Sequence, residues 1–273
     1  MHRITYTSSR AAQAISLDGD GVYVGTGGGL RSHEWTYSLT RRAVKGLSLG
    51  ARTVEVSAYA EDAKANALRR MADADAAAQS PGLLTVDGEW NMRCYIVEMS
   101  ASKTYMEGVQ LSLKIALIDE CWWRVRLESF VTGYNDGGLD FPFDFQFDFN
   151  FKSGSGTVYN TSDMPAPAII TFYGPCTNPY VTIGGNRYEV DVQVATGHRV
   201  VIDFTGAAPT VTHYDQYGNG YSVFSEAVRD GGLGGGSYAF QPIPAGSSAA
   251  TWSGTFSWSV ELHEQDTEPL WAR

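Results

Sequence analysis

A chain of 273 residues that is 43% hydrophobic, 12% aromatic and 18% charged is too rich in aromatic side chains to be disordered, and it is long enough for one large domain or two ordinary ones. Its formal net charge of −10 argues against specific binding to a nucleic-acid backbone: a polyanion is repelled on average, and basic residues gather only in short pairs such as Arg41-Arg42 and Arg69-Arg70. Cys94, Cys121 and Cys176 stand far apart with no CxxC motif, which argues against a disulfide framework and fits reduced, half-buried thiols.

The opening Met1-His2-Arg3-Ile4-Thr5-Tyr6 lacks the apolar run of a signal peptide, and no apolar stretch reaches the ~20 residues that span a bilayer. An unsecreted protein without membrane insertion is therefore expected. Residues 1–60 read as strands. Between Gly50 and Tyr59, Val54, Val56 and Ala58 share one parity and Thr53 faces the other way, the period of two that marks a half-buried strand.

A helix is expected from about Glu61 to Gln79, with acidic residues at its positive end and Ser80-Pro81-Gly82 to stop it, Gly82 turning the chain. Asp87-Gly88 then joins Leu83–Val86 to a strand from Glu89 to Glu98 as a two-residue hairpin. Val109, Leu111, Leu113, Ile115 and Leu117 alternate along a further strand.

After the turn residues Tyr134-Asn135-Asp136-Gly137-Gly138 come Phe141, Phe143, Phe145, Phe147, Phe149 and Phe151, alternating with polar residues and Pro142. In an extended chain all six rings point one way, so the segment calls for a large apolar partner surface at a domain edge or subunit interface. Ile169–Tyr173, Tyr180–Ile183, Tyr188–Val192 and Arg199–Phe204, separated by Gly and Pro turns, have the spacing of a β-sandwich, with Gly231–Gly236 as a flexible loop inside it.

No catalytic constellation emerges. His2, His33, His198, His213 and His263 form neither HExxH nor a zinc spacing, and no GxSxG is present. Val24-Gly25-Thr26-Gly27-Gly28-Gly29-Leu30 lacks the Lys-Ser/Thr of a phosphate loop and reads as a flexible turn. Successive members of Asp140, Asp144 and Asp148, four residues apart, lie roughly 13 Å from one another if extended, too far for a carboxylate pair or a calcium cage on one strand. No catalytic residue, metal or cofactor is therefore expected. Tyr214, Tyr217 and Tyr221 are candidates for stacking on a sugar ring, against the plainer reading that tyrosine is common in strands and turns.

The order of these elements resembles the distal tail protein family of long-tailed bacteriophages. Gly138-Leu139-Asp140-Phe141-Pro142-Phe143-Asp144-Phe145 is similar to that family's G-L-x-F-P-x-x-F connector. Asn160 to Pro175 is similar to its N-x-G-x-x-x-x-P-x-I-x-I-x-G-P pattern, with Ser162 where glycine is usual. Val201-Ile202-Asp203 and Phe240-Gln241-Pro242-Ile243-Pro244-Ala245-Gly246 resemble that family's I-D-T and F-x-x-L-P-x-G strands.

The resemblance implies a mainly β fold in two domains: residues 1–135 a ring-forming α+β domain with one helix, residues 136–273 a galectin-like sandwich that begins with the Phe-rich connector. It further implies a hexameric ring at the virion's tail tip, made in the bacterial cytoplasm. That ring would join the tail tube protein to a tail hub, tail-associated lysin or fibre protein, and carry receptor-binding proteins. The alternatives are a carbohydrate-binding sandwich for host-surface glycans and a polysaccharide-active enzyme.

Overall fold

Alternation in the sequence becomes alternation in burial. Along Arg52–Glu61, Val54, Val56, Ala58 and Ala60 are buried while Thr53, Glu55 and Ser57 are exposed, and Leu111, Leu113, Ile115 and Leu117 of Gly108–Leu117 are buried likewise. The computed structural model describes residues 3–10, 13–25, 28–131 and 154–269. The protein is mainly β, with one α-helix among the described residues.

The chain divides into two compact units, one of Met1–Arg124 with Gln265–Arg273 and one of Val125–Glu264. Sequence reading placed the break between residues 135 and 136; the units divide between 124 and 125, and the C-terminal residues belong with the first unit. The Phe141–Phe151 connector lies outside the described residues.

In chain order the first unit contains β1 (Ile4–Thr7), β2 (Ala14–Ser16), β3 (Asp18–Gly19), β4 (Val22–Tyr23), a 3-10 turn (Gly28–Arg31), β5 (Thr36–Leu39), β6 (Val44–Ser48), β7 (Arg52–Glu61), α1 (Asp62–Ala77), β8 (Gly82–Val86), β9 (Trp90–Tyr105) and β10 (Gly108–Leu117). The strand β11 (Trp122–Phe130) then carries the chain into the second unit. Antiparallel pairing gives the order β2-β1-β8-β9-β10-β7-β4-β3. The β8–β9 hairpin turns through Asp87 (φ 53°) and Gly88 (φ 77°), the left-handed pair that Asp-Gly tolerates.

Leu68, Met71, Ala72 and Asp75 are the buried residues of α1, spaced at i, i+3, i+4 and i+7, so one stripe of the helix packs with Val54, Leu84, Met92 and Leu113 in one core. The helix does not stop as expected. Gln79, not Gly82, takes the left-handed conformation (φ 50°), and the amides of Gln79 and Ser80 donate to the carbonyls of Ala76 and Asp75. Gly82 instead opens β8, where a Cβ would strike the Tyr6 ring at 2.6 Å. The glycine-rich stretch also departs from a plain flexible turn: Gly29 lies against the Glu55 carbonyl with no room for a Cβ, and Leu30 is buried.

The second unit continues with β12 (Gly154–Asn160), β13 (Ala168–Tyr173), β14 (Cys176–Thr177), β15 (Tyr180–Ile183), β16 (Asn186–Glu189), β17 (Gln193–Val194), β18 (Arg199–Asp203), β19 (Thr210–Tyr214), β20 (Gly220–Ser222), β21 (Arg229–Asp230), β22 (Ser237–Tyr238), β23 (Gly246–Trp252) and β24 (Trp258–Asp266). One sheet runs β20-β19-β18-β13-β24 and a second β12-β23-β15-β16. Ile170, Phe172, Val200 and Val260 of the first share one core with Val158, Val181, Ile183 and Trp252 of the second, which makes the unit a sandwich of two packed sheets. Gly231–Gly236 links β21 to β22, inside the unit as expected.

Candidate functional site

The strands β5 and β6 pair only with each other among the described residues. The amide of Thr40 donates to the carbonyl of Ala43 at 2.8 Å, closing a tight turn that places Arg41 and Arg42 at the tip. Register runs from Leu39↔Val44 and Ser38↔Lys45 to Thr36↔Ser48, so Tyr37 faces two residues, Gly46 and Leu47. That is a β-bulge, with Gly46 supplying the positive φ of 64°.

Every residue of both strands is exposed, including Tyr37 at 59%, Leu39 at 72% and Leu47 at 59%, and Trp35 just before them is exposed as well. A lone two-stranded hairpin is marginal in water, so an apolar one standing clear of any core is a surface built to be covered. Sequence reading passed over this hairpin. Its signal was available in Trp35, Tyr37 and Leu39 alternating with Glu34, Thr36 and Ser38 before the Thr40-Arg41-Arg42 turn.

Tyr214, Tyr217 and Tyr221 all lie on the β19–β20 hairpin, but Tyr214 pairs with Gly220 and Tyr221 with His213, so the Tyr214 and Tyr221 rings are on opposite faces. Asp215 shapes its turn, accepting from the amides of Tyr217 (2.8 Å) and Asn219 (2.9 Å) and from the Asn219 side chain (2.9 Å). These bonds, the Asn219 side chain first, hold the Asp215 carboxyl below its usual range. The Arg199 guanidinium lies 4.7 Å over the Tyr214 ring, and the Tyr221 ring stacks on His213 with centroids 4.9 Å apart. Tyr217, 81% exposed, is the most open of the three.

Chemistry at the cysteines is muted. Burial pushes Cys121 and Cys176 up to about 11 and Cys94 higher still, so all three are thiols at neutral pH, poor nucleophiles and poor metal ligands. Among the described residues no cluster of three or more His, Cys, Asp or Glu side chains is arranged to hold a metal, and no helix is long and apolar enough to cross a membrane.

No protein-family model matches the sequence, and no curated protein matches it. Solved structures do. The crystal structure of SPP1 Dit (gp 19.1), described as a paradigm of the hub adsorption apparatus in phages infecting Gram-positive bacteria, aligns with a TM-score of 0.59 at 15% identity, covering 96% of this chain and 99% of that one. A chain of the phage P2 baseplate in its activated conformation with calcium aligns at 0.57 and 9% identity, covering 98% and 100%. A P2 baseplate chain in the strontium form aligns at 0.56, also at 9% identity and with the same coverage. The chain shares the fold of these phage Dit and baseplate proteins. The likeness extends over both compact units, at identities where only the fold is held in common.

Proposed function

We propose that the chain is a non-enzymatic structural subunit of a bacteriophage tail tip, assembling into a hexameric ring between the tail tube and the tail hub or its fibre or lysin component. The observation that carries this reading is the end-to-end fold likeness to SPP1 Dit, 96% of one chain on 99% of the other. The β5–β6 hairpin supports it from the physical side, because a ring needs a heterologous contact and this exposed apolar element is a surface that a neighbouring subunit would cover. An acidic chain suits a conduit for DNA, since a basic lumen would retain the passing duplex. The Phe141–Phe151 connector is proposed as a second buried seam, and the second unit as the galectin-like carrier of receptor-binding proteins.

Native mass spectrometry and negative-stain imaging test the ring. A species of six chains with a central opening is expected at micromolar concentration, and Leu39→Asp with Leu47→Asp should abolish it while leaving the circular-dichroism spectrum of the folded subunit unchanged. A monomer at every concentration, alone and with tail-tube protein, would overturn the reading. One observation favours a second role in glycan binding: Tyr217 and Tyr221 are both exposed on the β19–β20 hairpin. A glycan array probed with the wild type and Tyr217→Ala decides it, and equal signals from both would remove these tyrosines from consideration.

A further inference from the structure

The second unit contains a pair of histidines that neither the ring nor the sugar reading uses. His198 lies at the end of a tight turn, its amide donating to the Ala195 carbonyl at 3.0 Å with Gly197 at φ 80°, immediately before β18. His213 is on the neighbouring β19, opposite Val200 on one side and Tyr221 on the other. The Nδ1 of His198 and the Nε2 of His213 face each other at 3.2 Å, and the Nδ1 of His213 meets the Tyr221 hydroxyl at 2.9 Å. The imidazoles are edge to face, with centroids 5.4 Å apart and planes at 75°.

We infer that His198 and His213 form a two-histidine site for a borderline divalent transition-metal ion, Zn2+ being the biological candidate. Two nitrogens bound to one tetrahedral zinc at ~2.05 Å each stand about 3.3 Å apart. The two ring nitrogens thus stand close to the separation that one zinc ion would set.

His213 has two tautomers open to it. In the one whose Nδ1–H donates to the Tyr221 oxygen, His213 presents a bare Nε2, and the proton between the rings belongs to His198 Nδ1. A metal ion takes the place of that proton, His198 carrying its hydrogen on Nε2 instead. Tyr221 then plays the part that outer partners play at most histidine metal sites, fixing the ring and its tautomer.

His213 is 4% exposed and so is held rigidly, whereas His198 is half-buried and gives the ion a way in. Water completes the coordination, and Asp215, which interacts electrostatically with both histidines, offsets part of the added charge. Imidazole donors without a carboxylate cage select zinc, nickel or copper over calcium or magnesium. Occupancy would tie the turn before β18 to the hairpin that carries Tyr217 and Tyr221.

Isothermal titration of the full chain with ZnCl2, in a non-chelating buffer near pH 7.5, tests the site. One zinc per chain is expected, with a rise in melting temperature that CaCl2 does not reproduce. His198→Ala should abolish both signals, and Tyr221→Phe, which keeps the ring, should weaken binding by about 10–100-fold. His33→Ala and His263→Ala, at the two histidines paired with Glu268 and Glu261, should bind as the wild type does. Failure to take up zinc, uptake that survives His198→Ala, or an equal response to calcium would each overturn the assignment.

Discussion

Asp75 lies on the inner face of α1, removed from solvent, and its carboxylate accepts from Tyr6 Oη (2.6 Å), Ser8 Oγ (2.8 Å), Ser9 Oγ (2.9 Å) and the Ser9 amide (3.1 Å). One side chain therefore joins the helix to β1 and the residues after it, and a buried charge is tolerated because several donors face it. Asp75→Ala leaves those hydroxyls without this acceptor and should cost roughly 2–4 kcal/mol in urea denaturation.

The Tyr6 hydroxyl is pushed well above its usual range, by burial first and then by the bond to Asp75, and burial pushes the Cys94 thiol up in the same core. Groups whose folded pKa is raised contribute stability that is intact below their unfolded values, near 9 to 10, and is lost as pH climbs beyond them. Melting temperature should accordingly fall above about pH 9, and Tyr6→Phe should fall less steeply; equal slopes would remove Tyr6 from the account. Helical phase made Asp75 readable in retrospect, since it stands seven residues after Leu68. Its partners were not, because nothing local in Ser8-Ser9 marks them as donors to a residue more than sixty positions away.

Regular elements were legible wherever one face is buried and the other is not. The strands β7, β10 and β13 each repeat their apolar residues at every second position, and α1 repeats them at i, i+3, i+4 and i+7. The extent of α1 agrees with the sequence to within two residues, but the left-handed turn that ends it is at Gln79 and not at Gly82. That position carries a testable cost. Gln79→Gly should stabilise the protein by about 0.5–1 kcal/mol, read from the denaturation midpoint, since a Cβ is disfavoured in this conformation. A loss of stability would mean that the Gln79 side chain does more than occupy the cap. The β5–β6 hairpin escaped notice for the opposite reason: its apolar residues serve no core in the first unit, so burial was the wrong criterion by which to look for it.

At the scale of the molecule, the sandwich was legible from evenly spaced strands and turns, but the division of the chain was not. The composition changes near residue 135, while the strand that opens the second unit begins before it: Phe130 on β11 stacks on Trp258 (centroids 4.2 Å) and meets Trp252 edge to face (5.6 Å). Residues 125–264 made alone should therefore fold as a soluble monomer with dispersed amide resonances, whereas a fragment that starts at 138 lacks Phe130 and should melt at a lower temperature. Similar melting of the two fragments would show that β11 is dispensable to the sandwich.

The same division bears on the order in which the protein is made. Residues 125–264 are inserted into the sequence of the first unit, which resumes only at Gln265. A ribosome releases the whole sandwich before it releases the residues that complete its neighbour, so the sandwich is free to fold during synthesis while the first unit waits for its own last segment. If that first unit forms the ring, no subunit could dock into it until Gln265 and the residues after it had been translated. Vectorial synthesis would then delay assembly until the sandwich had been made, without any separate control.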